Sequence, residues 1–210
     1  LPIAMTGRFD YRPNADGAAW FATAIMPHIA RKLPRARFYA VGANPPRSLR
    51  ALANGTVTIV GTSVLKDVTD PIERLVRAVE AAVANGLVVV VSAGNVGRNL
   101  QTGEVGYAGI TSPGNDPAAL TVGAVDMHGT AQRSDDTVAK YSSKGPTLFD
   151  LALKPDLVAP GSRLVSAESA GSYLSTTYPE RHVAGSGNAG YMALSGTSMA
   201  AGVTSGAVAL

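Results

Sequence analysis

The feature that most constrains the fold is a capped helix that runs directly into a continuously apolar strand. Asp70-Pro71 supplies an N-cap and a proline at the first helical position, and Glu73 completes a capping-box pattern. Apolar residues then recur at helical spacing until Asn85-Gly86, which is a typical helix stop. Residues 87–91 follow as Leu-Val-Val-Val-Val, a run that does not alternate and therefore predicts a strand buried on both faces. The helix and strand together predict half of a right-handed βαβ unit.

The other elements predict the same class of fold. A helix is expected over residues 16–32, broken or kinked near Pro27, and strands are expected at residues 37–41, 56–60, 120–125 and 156–159. With 46% hydrophobic and 6% aromatic residues, the pattern favours an α/β domain with a mainly parallel central sheet over an aromatic-rich β-sandwich. The length of 210 residues suits one domain, and both ends are expected to be cut, because the chain starts without Met and stops inside an apolar run.

Composition excludes whole classes of chemistry. The chain has no cysteine, so disulfides, thiolate catalysis and cysteine-bound zinc are excluded. No apolar run reaches about 18 residues, so no membrane-spanning helix is expected. The net charge is +3, and the densest basic stretch, residues 31–37, carries four positive charges without interleaved aromatic residues. We therefore expect no nucleic-acid partner.

Two glycine-containing segments are candidates for chemistry. Ser92-Ala93-Gly94-Asn95-Val96-Gly97 follows the apolar strand, at the edge where sites form in parallel sheets. A dinucleotide-binding fingerprint needs Gly-x-Gly-x-x-Gly, and only the last two glycines are present; Asn95 is also compatible with an ordinary turn. Ser195-Gly196-Thr197-Ser198-Met199-Ala200 places a serine at the start of an apolar helix. That serine fits either a plain cap or a nucleophile whose own N–H stabilises an oxyanion.

Taken in chain order, these segments resemble the subtilisin-like serine peptidases (the subtilase family). Gly-Thr-Ser-Met-Ala at residues 196–200 resembles the nucleophile motif of that family, and Ala-Gly-Asn at 93–95 resembles its oxyanion-hole segment. Between them, residues 112–115, 121–125, 141–146 and 154–161 follow the family pattern in order. The resemblance covers residues 70–210, whereas residues 1–69 are diverged. It implies a three-layer α/β/α catalytic domain, single over residues 1–210 and truncated at both ends.

The resemblance also implies residue roles. Ser198 is expected to be the nucleophile of a serine endopeptidase, with the Asn95 side chain and the Ser198 N–H binding the oxyanion. The expected substrate-binding residues are Ser92, Ala93, Gly94, Gly61, Thr62, Ser63, Gly196 and Thr197. The resemblance also implies a polypeptide substrate as the partner and a secreted or extracytoplasmic location. No cofactor or metal ligand is assigned. A structural calcium ion is compatible with acidic loop residues, although solvated charges are the simpler interpretation of Asp67, Asp70, Asp135 and Asp136.

The family's catalytic aspartate and histidine, which should precede Ser198 in the chain, are not recognisable. Asp16 stands where the family's His-Gly-Thr-His segment places its histidine, and Met5 stands where a strand-ending aspartate belongs. His28, paired with Asp10 or Asp16, keeps the chain order, but it is more simply a partly exposed helix residue. The other histidines, His128 and His182, lie in polar turns and are not favoured as the base.

Little or no triad catalysis is therefore expected from this chain alone. The alternative function is a catalytically inactive relative that keeps the fold and only binds peptides. A nucleotide-binding or other small-molecule-binding α/β protein is disfavoured by the ordered motifs. The gene sequence upstream would distinguish the endopeptidase from the inactive relative. An Asp-[Thr/Ser]-Gly turn and a His-Gly-Thr-His helix encoded there would favour the endopeptidase.

Overall fold

The computed structural model of the chain describes residues 2–9, 12–61, 71–185 and 190–210. The described residues form two compact units. The first unit comprises residues up to 89 together with 168–182, and the second comprises residues 90–167 together with 183–208.

The first unit contains a three-stranded parallel sheet in the order β1-β2-β3. Its strands are β1 (Pro2–Arg8), β2 (Arg37–Ala43) and β3 (Val57–Gly61). Its helices are α1 (Arg12–Trp20), a π-helical segment (Phe21–Ile25), α2 (Met26–Lys32), α3 (Arg47–Arg50), α4 (Pro71–Ala84), α5 (Tyr173–Thr177) and a 3-10 turn (Pro179–Arg181).

The helical stretch between β1 and β2 is interrupted next to Pro27, as the sequence predicts. Pro27 lies in the first turn of α2 and has no N–H to donate, and the backbone before it widens into the π-helical segment. The stretch begins at Arg12, four residues earlier than expected, with Pro13 in its first turn. Amphipathic packing then buries Met26 and Phe38, each 1% exposed, and the Phe21 and Phe38 rings lie 4.6 Å apart. Phe9, which follows β1, and Leu49, which follows β2, belong to the same core.

Charge in the first unit is unevenly distributed along the chain. Residues 17–61 contain six Lys and Arg residues and no Asp or Glu. The cations lie mainly in the last turn of α2, in the connection to β2 and on α3. The segment therefore carries six formal positive charges and no carboxylate charge.

The second unit contains a mixed four-stranded sheet and a small antiparallel sheet. In the first of these, β4 (Val90–Ser92) and β7 (Leu157–Pro160) pair parallel with β5 (Leu120–Asp126), and β6 (Thr137–Val138) pairs antiparallel with it. The second sheet has the order β8-β10-β9, with β8 (Leu164–Ala167), β9 (His182–Ala184) and β10 (Gly190–Leu194). Helix α6 (Thr197–Val208) packs on β4, β5 and β7.

Small residues allow α6 to lie close to the sheet. Val122, Ala124, Ala159 and Ala200 are buried together, and Ala200 is fully inaccessible to solvent. Since three of these four side chains are methyl groups, the helix backbone approaches the strands closely and the position of its first turn is fixed. Within the described residues, no helix combines the length and hydrophobicity that a membrane span requires.

The α/β class predicted from the sequence is confirmed, but the described residues form three separate sheets, of which β1-β2-β3 is parallel and the sheet around β5 is mixed, rather than one mainly parallel sheet. Strands β3 and β4, on either side of α4, pair with β2 and β5 respectively, so the described residues do not form the expected βαβ unit within one sheet. Strand β4 begins at Val90, and Val88 is 52% exposed. The expectation of burial on both faces was wrong there, because β4 is the terminal strand of its described sheet and residues 87–89 lie outside the ladder.

Candidate active site

The loop that follows β4 makes a tight turn at a position that admits only glycine. Gly94 has φ +104°, a left-handed conformation that side chains disfavour. A Cβ atom at this position would lie 2.9 Å from Ser143 Oγ and 3.0 Å from Thr111 Oγ1. The preceding residue, Ala93, is fully buried and donates its N–H to Val122 O at 2.9 Å. The turn thus presents Asn95, which is exposed, from a rigid base.

The start of α6 holds the Asn95 side chain in one orientation. The Thr197 N–H and the Thr197 hydroxyl both donate to Asn95 Oδ1, each at 3.0 Å. The same hydroxyl accepts from the Gly94 N–H at 3.2 Å. Because Thr197 is only 1% exposed, water does not compete for these bonds. With Oδ1 fixed as the acceptor, the Nδ2 donor of Asn95 is turned away from Thr197.

Two donors lie close to one point beside Gly196. The point that a Cβ atom on Gly196 would occupy lies 3.4 Å from Asn95 Nδ2, 3.6 Å from Met199 Sδ and 3.8 Å from Ser198 N. Ser198 itself is exposed, in the first turn of α6, and no acceptor for its N–H is present among the described residues. An amide N–H₂ and a free helix N–H that lie this close together are suited to bind a negatively charged oxygen.

The structure brings most of the sequence-predicted site residues together. Ser92 ends β4, the loop 93–95 follows it, and residues 196–198 lie against that loop through the Thr197 bonds. Gly61 is the last residue of β3 in the first unit, and Thr62 and Ser63 lie outside the described residues. Thr197, which is expected to bind substrate, is buried and contacts Asn95. Sequence reasoning missed this positioning role, because the pair is separated by 102 residues.

Each histidine of the chain has a partner unrelated to the nucleophile motif. Arg31 donates to His28 Nδ1 at 2.5 Å within the α2 region. The His128 ring contacts Thr137 Oγ1 at 3.0 Å, in the surface turn expected for it. The His182 Nε2 atom lies 3.0 Å from both Glu168 Oε1 and Ser175 O. These local contacts explain the three rings without a catalytic role.

The two segments aligned with the family's aspartate and histidine do meet in the first unit. Met5 lies in β1, and its Cε is 3.6 Å from the position of a Cβ on Gly17 in α1. Asp16, next to that glycine, is 3.7 Å from Arg12, one turn earlier in the helix. Where the family has an aspartate and a histidine, this chain therefore has the Met5 thioether and the Arg12–Asp16 ion pair. Asp10, the other proposed carboxylate, lies outside the described residues.

A buried lysine ties β7 to β5 beneath the site. Lys154, whose side chain is 5% exposed, donates to Ala119 O and to Asp156 Oδ2, both at 2.8 Å. Asp156 Oδ2 also accepts from Thr121 N at 2.7 Å. Burial opposes ionisation of the Asp156 carboxyl, but the hydrogen bonds from Lys154 and Thr121 outweigh it and lower the pKa of Asp156. This ion pair is structural: it fixes the ends of the strands on which α6 packs.

The described residues contain no set of side chains that could bind the expected calcium ion. Asp135 accepts from Thr130 Oγ1, and Asp136 pairs with Arg133 at 3.5 Å. Asp67 and Asp70 lie outside the described residues. In the described ranges, no group of three or more His, Cys, Asp or Glu side chains could hold a metal ion. The calcium site stays a prediction, and no step of the chemistry is built on it.

Comparison with known proteins gives one consistent result. The sequence model of the Subtilase family matches residues 39–210. Serine protease AprX of Bacillus subtilis (strain 168) is 43% identical over 138 residues, which are 66% of this chain and 28% of that protein. Subtilisin DY of Bacillus licheniformis is 33% identical over 136 residues, 65% of this chain and 36% of that protein. Subtilisin E of Bacillus subtilis (strain 168) is 34% identical over 114 residues, 53% of this chain and 25% of that protein. The matched residues thus span about a quarter to a third of these relatives.

Proposed function

Because this chain belongs to the subtilase family, we propose that it carries the nucleophile and the oxyanion-binding groups of a serine endopeptidase. The matched relatives are much longer, so peptide-bond cleavage is proposed for the whole protein rather than for these residues alone. A three-layer domain with a mainly parallel central sheet, a polypeptide substrate and an extracytoplasmic location are parts of the same proposal.

In the proposed reaction, Ser198 Oγ attacks the carbonyl carbon of the scissile peptide bond and its proton passes to a general base. The carbonyl oxygen becomes an oxyanion in the volume beside Gly196, where Asn95 Nδ2 and the Ser198 N–H donate to it. Collapse of the intermediate breaks the C–N bond, the amine leaves with a proton, and an acyl-enzyme remains on Ser198. Water then releases the acid by the reverse sequence.

The observation that carries this proposal is that the two donors lie close to one point beside Gly196. Asn95 Nδ2 and Ser198 N lie 3.4 and 3.8 Å from the point where a side chain on Gly196 would begin. A serine that only caps its helix would require neither a glycine at position 196 nor an Asn95 side chain held in one orientation by Thr197. Ser92, Ala93, Gly94, Gly61, Thr62 and Ser63 are proposed, from the family pattern alone, to line the substrate-binding cleft.

The base remains to be supplied, which favours the second candidate for the chain as it stands: a peptide-binding relative without triad catalysis. Its supporting observation is that His28, His128 and His182 are each held by other groups. In subtilisin, removal of one triad member lowers kcat by about 10⁴- to 10⁶-fold, a value measured for that enzyme. We expect a comparably low rate for this chain alone.

The test is site-resolved labelling of the full chain with a fluorophosphonate probe, read by mass spectrometry. We expect slow labelling at Ser198, accelerated by added imidazole, which can act as the missing base. Ser198→Ala should abolish it, whereas Ser205→Ala, a matched change on the same helix, should not. Labelling spread equally over surface serines would refute the proposed nucleophile. Rapid labelling without imidazole would instead refute the missing base, and His28→Ala should then be tried first.

A further inference from the structure

The first unit contains a cavity of about 530 Å³ at the carboxyl ends of its parallel strands. Phe9, which lines it, directly follows β1, and Pro46 lies three residues beyond the end of β2. Ligands of α/β proteins bind at this edge of the sheet, because the loops that leave the strands surround a crevice there. The volume lies within the range of about 300–1,000 Å³ that small-molecule sites occupy.

The floor of the cavity is apolar and rigid. Phe9 and Leu49 are each 1% exposed and belong to the hydrophobic core of the first unit. Ala15 and Ala19, one turn apart on α1, also line the cavity, and their short side chains leave the space open. The packed core therefore holds Phe9 and Leu49 in place at the cavity.

Both hydrogen-bond donors and hydrogen-bond acceptors line the same cavity. Arg12 supplies a guanidinium that only donates, Asp16 supplies a carboxylate that only accepts, and Ser48 supplies a hydroxyl that does either. Arg12 Nε and Asp16 Oδ2 are 3.7 Å apart, and their side chains are 75% and 38% exposed. An ion pair this long and this exposed contributes little, so either group can turn to a ligand at small cost.

We propose that this cavity binds a small hydroxylated organic anion, with its acidic group on Arg12, its hydroxyl groups on Asp16 and Ser48, and its body on the apolar floor. The ligand chemistry follows from the lining: a guanidinium pairs with a phosphate or carboxylate, and a carboxylate takes hydroxyl donors. The neighbouring segment 17–61, with six cations and no carboxylate, adds a positive field that attracts anions.

Asn95 and Ser198 are not among the lining residues of this cavity, although Asp16, which lines it, is the residue aligned with the family's histidine. Phe9, Arg12 and Asp16 precede the part of the chain that the family model matches, residues 39–210. Its lining belongs to the first unit, whereas Asn95 and Ser198 belong to the second. A failure of either proposal therefore leaves the other standing.

The test is isothermal titration of the full chain with three probes at low ionic strength: inorganic phosphate, ribose 5-phosphate and adenosine monophosphate. We expect saturable binding of at least one of the two phosphate esters, tighter than that of phosphate alone. Ribose 5-phosphate binding as tightly as the nucleotide would identify the sugar phosphate as the recognised part. Tighter nucleotide binding would show that the base covers the floor.

Variants separate a built site from general attraction to a basic protein. Arg12→Gln should weaken the tightest probe by about tenfold to a hundredfold, the value of one hydrogen bond to a charged group. Arg77→Gln, the matched control on α4, removes an exposed arginine outside the cavity and should have no effect. Ala15→Leu, which fills the cavity and keeps the charges, should also weaken binding, with circular dichroism confirming the fold.

Three results would overturn the proposal. The first is no saturable binding of any probe, and the second is phosphate binding as tightly as both esters. The third is an equal loss of affinity in Arg12→Gln and Arg77→Gln, which would leave only the overall charge of the chain as the cause.

Discussion

Removal of the Thr197 hydroxyl should destabilise the chain and loosen the loop that carries Asn95. In Thr197→Val the side chain keeps its volume, but the Gly94 N–H loses its acceptor and Asn95 Oδ1 loses one of two donors. The Thr197 side chain is 1% exposed, so water has little access to the position that the hydroxyl vacates. A buried donor left without an acceptor costs about 1–3 kcal/mol.

That cost is measurable by urea unfolding followed by circular dichroism. For an m-value of about 2 kcal/mol/M, the midpoint should fall by about 0.5–1.5 M. Thr197→Ser is the matched control: it keeps the hydroxyl and loses a buried methyl group, at a cost of about 0.5–1.5 kcal/mol.

Hydrogen exchange of the Gly94 amide separates the two causes. Exchange should accelerate by about tenfold or more in Thr197→Val, where the hydrogen bond itself is lost, and stay near the wild-type rate in Thr197→Ser. If the Gly94 amide exchanges equally slowly in both variants, the hydroxyl does not hold this loop and the positioning argument for Asn95 is refuted.

Three further outcomes are expected from urea unfolding. Gly94→Ala should lower the free energy of unfolding by about 2–4 kcal/mol, because the alanine would have a left-handed backbone and would be overpacked. Gly103→Ala, at φ +73° with nothing within 4 Å of the added Cβ, should lower it only by the backbone part, about 1–2 kcal/mol. Equal losses for the two variants would contradict the packing argument. Lys154→Met should lower the free energy of unfolding by about 1–3 kcal/mol at pH 7, because the Ala119 carbonyl and the Asp156 carboxylate lose their buried donor. A loss below about 0.5 kcal/mol would show that the ion pair is dispensable for stability. Because the pKa of Asp156 is below its ordinary 3.8 in the folded chain, its contribution is present above about pH 4 and is lost as the pH falls through that lowered value. Between pH 5 and pH 2, wild type should therefore lose more stability than Lys154→Met, and an equal loss would refute the assignment.

Local signals made the secondary structure readable from the sequence. Helix α4 spans Pro71–Ala84, within one residue of the stop predicted by Asn85-Gly86, because caps act over a few residues. The same kind of signal was missed at α1, where the proline at position 13 lies in the first turn. The exposure of Val88 could not be read locally, since it depends on which strands pair with β4.

The candidate site was readable in its residues but not in its geometry. Sequence motifs identified Ser198 and Asn95 through a family resemblance, and the family is confirmed by the match over residues 39–210. No local pattern reveals that the Thr197 hydroxyl orients Asn95, because that contact closes a separation of 102 residues. The cavity beside Arg12 was equally hidden: it depends on two segments, residues 9–19 and 44–49, that only the parallel pairing of β1 and β2 brings together.

The absence of carboxylates from residues 17–61 has a consequence for how the first unit responds to its surroundings. Acid neutralises carboxylates and so changes the charge of most protein surfaces, but this segment has none to neutralise. Dissolved salt screens the attraction of this segment for anions over about 10 Å at 0.1 M. An ionic-strength series is therefore the control for the binding of any anionic partner to this segment.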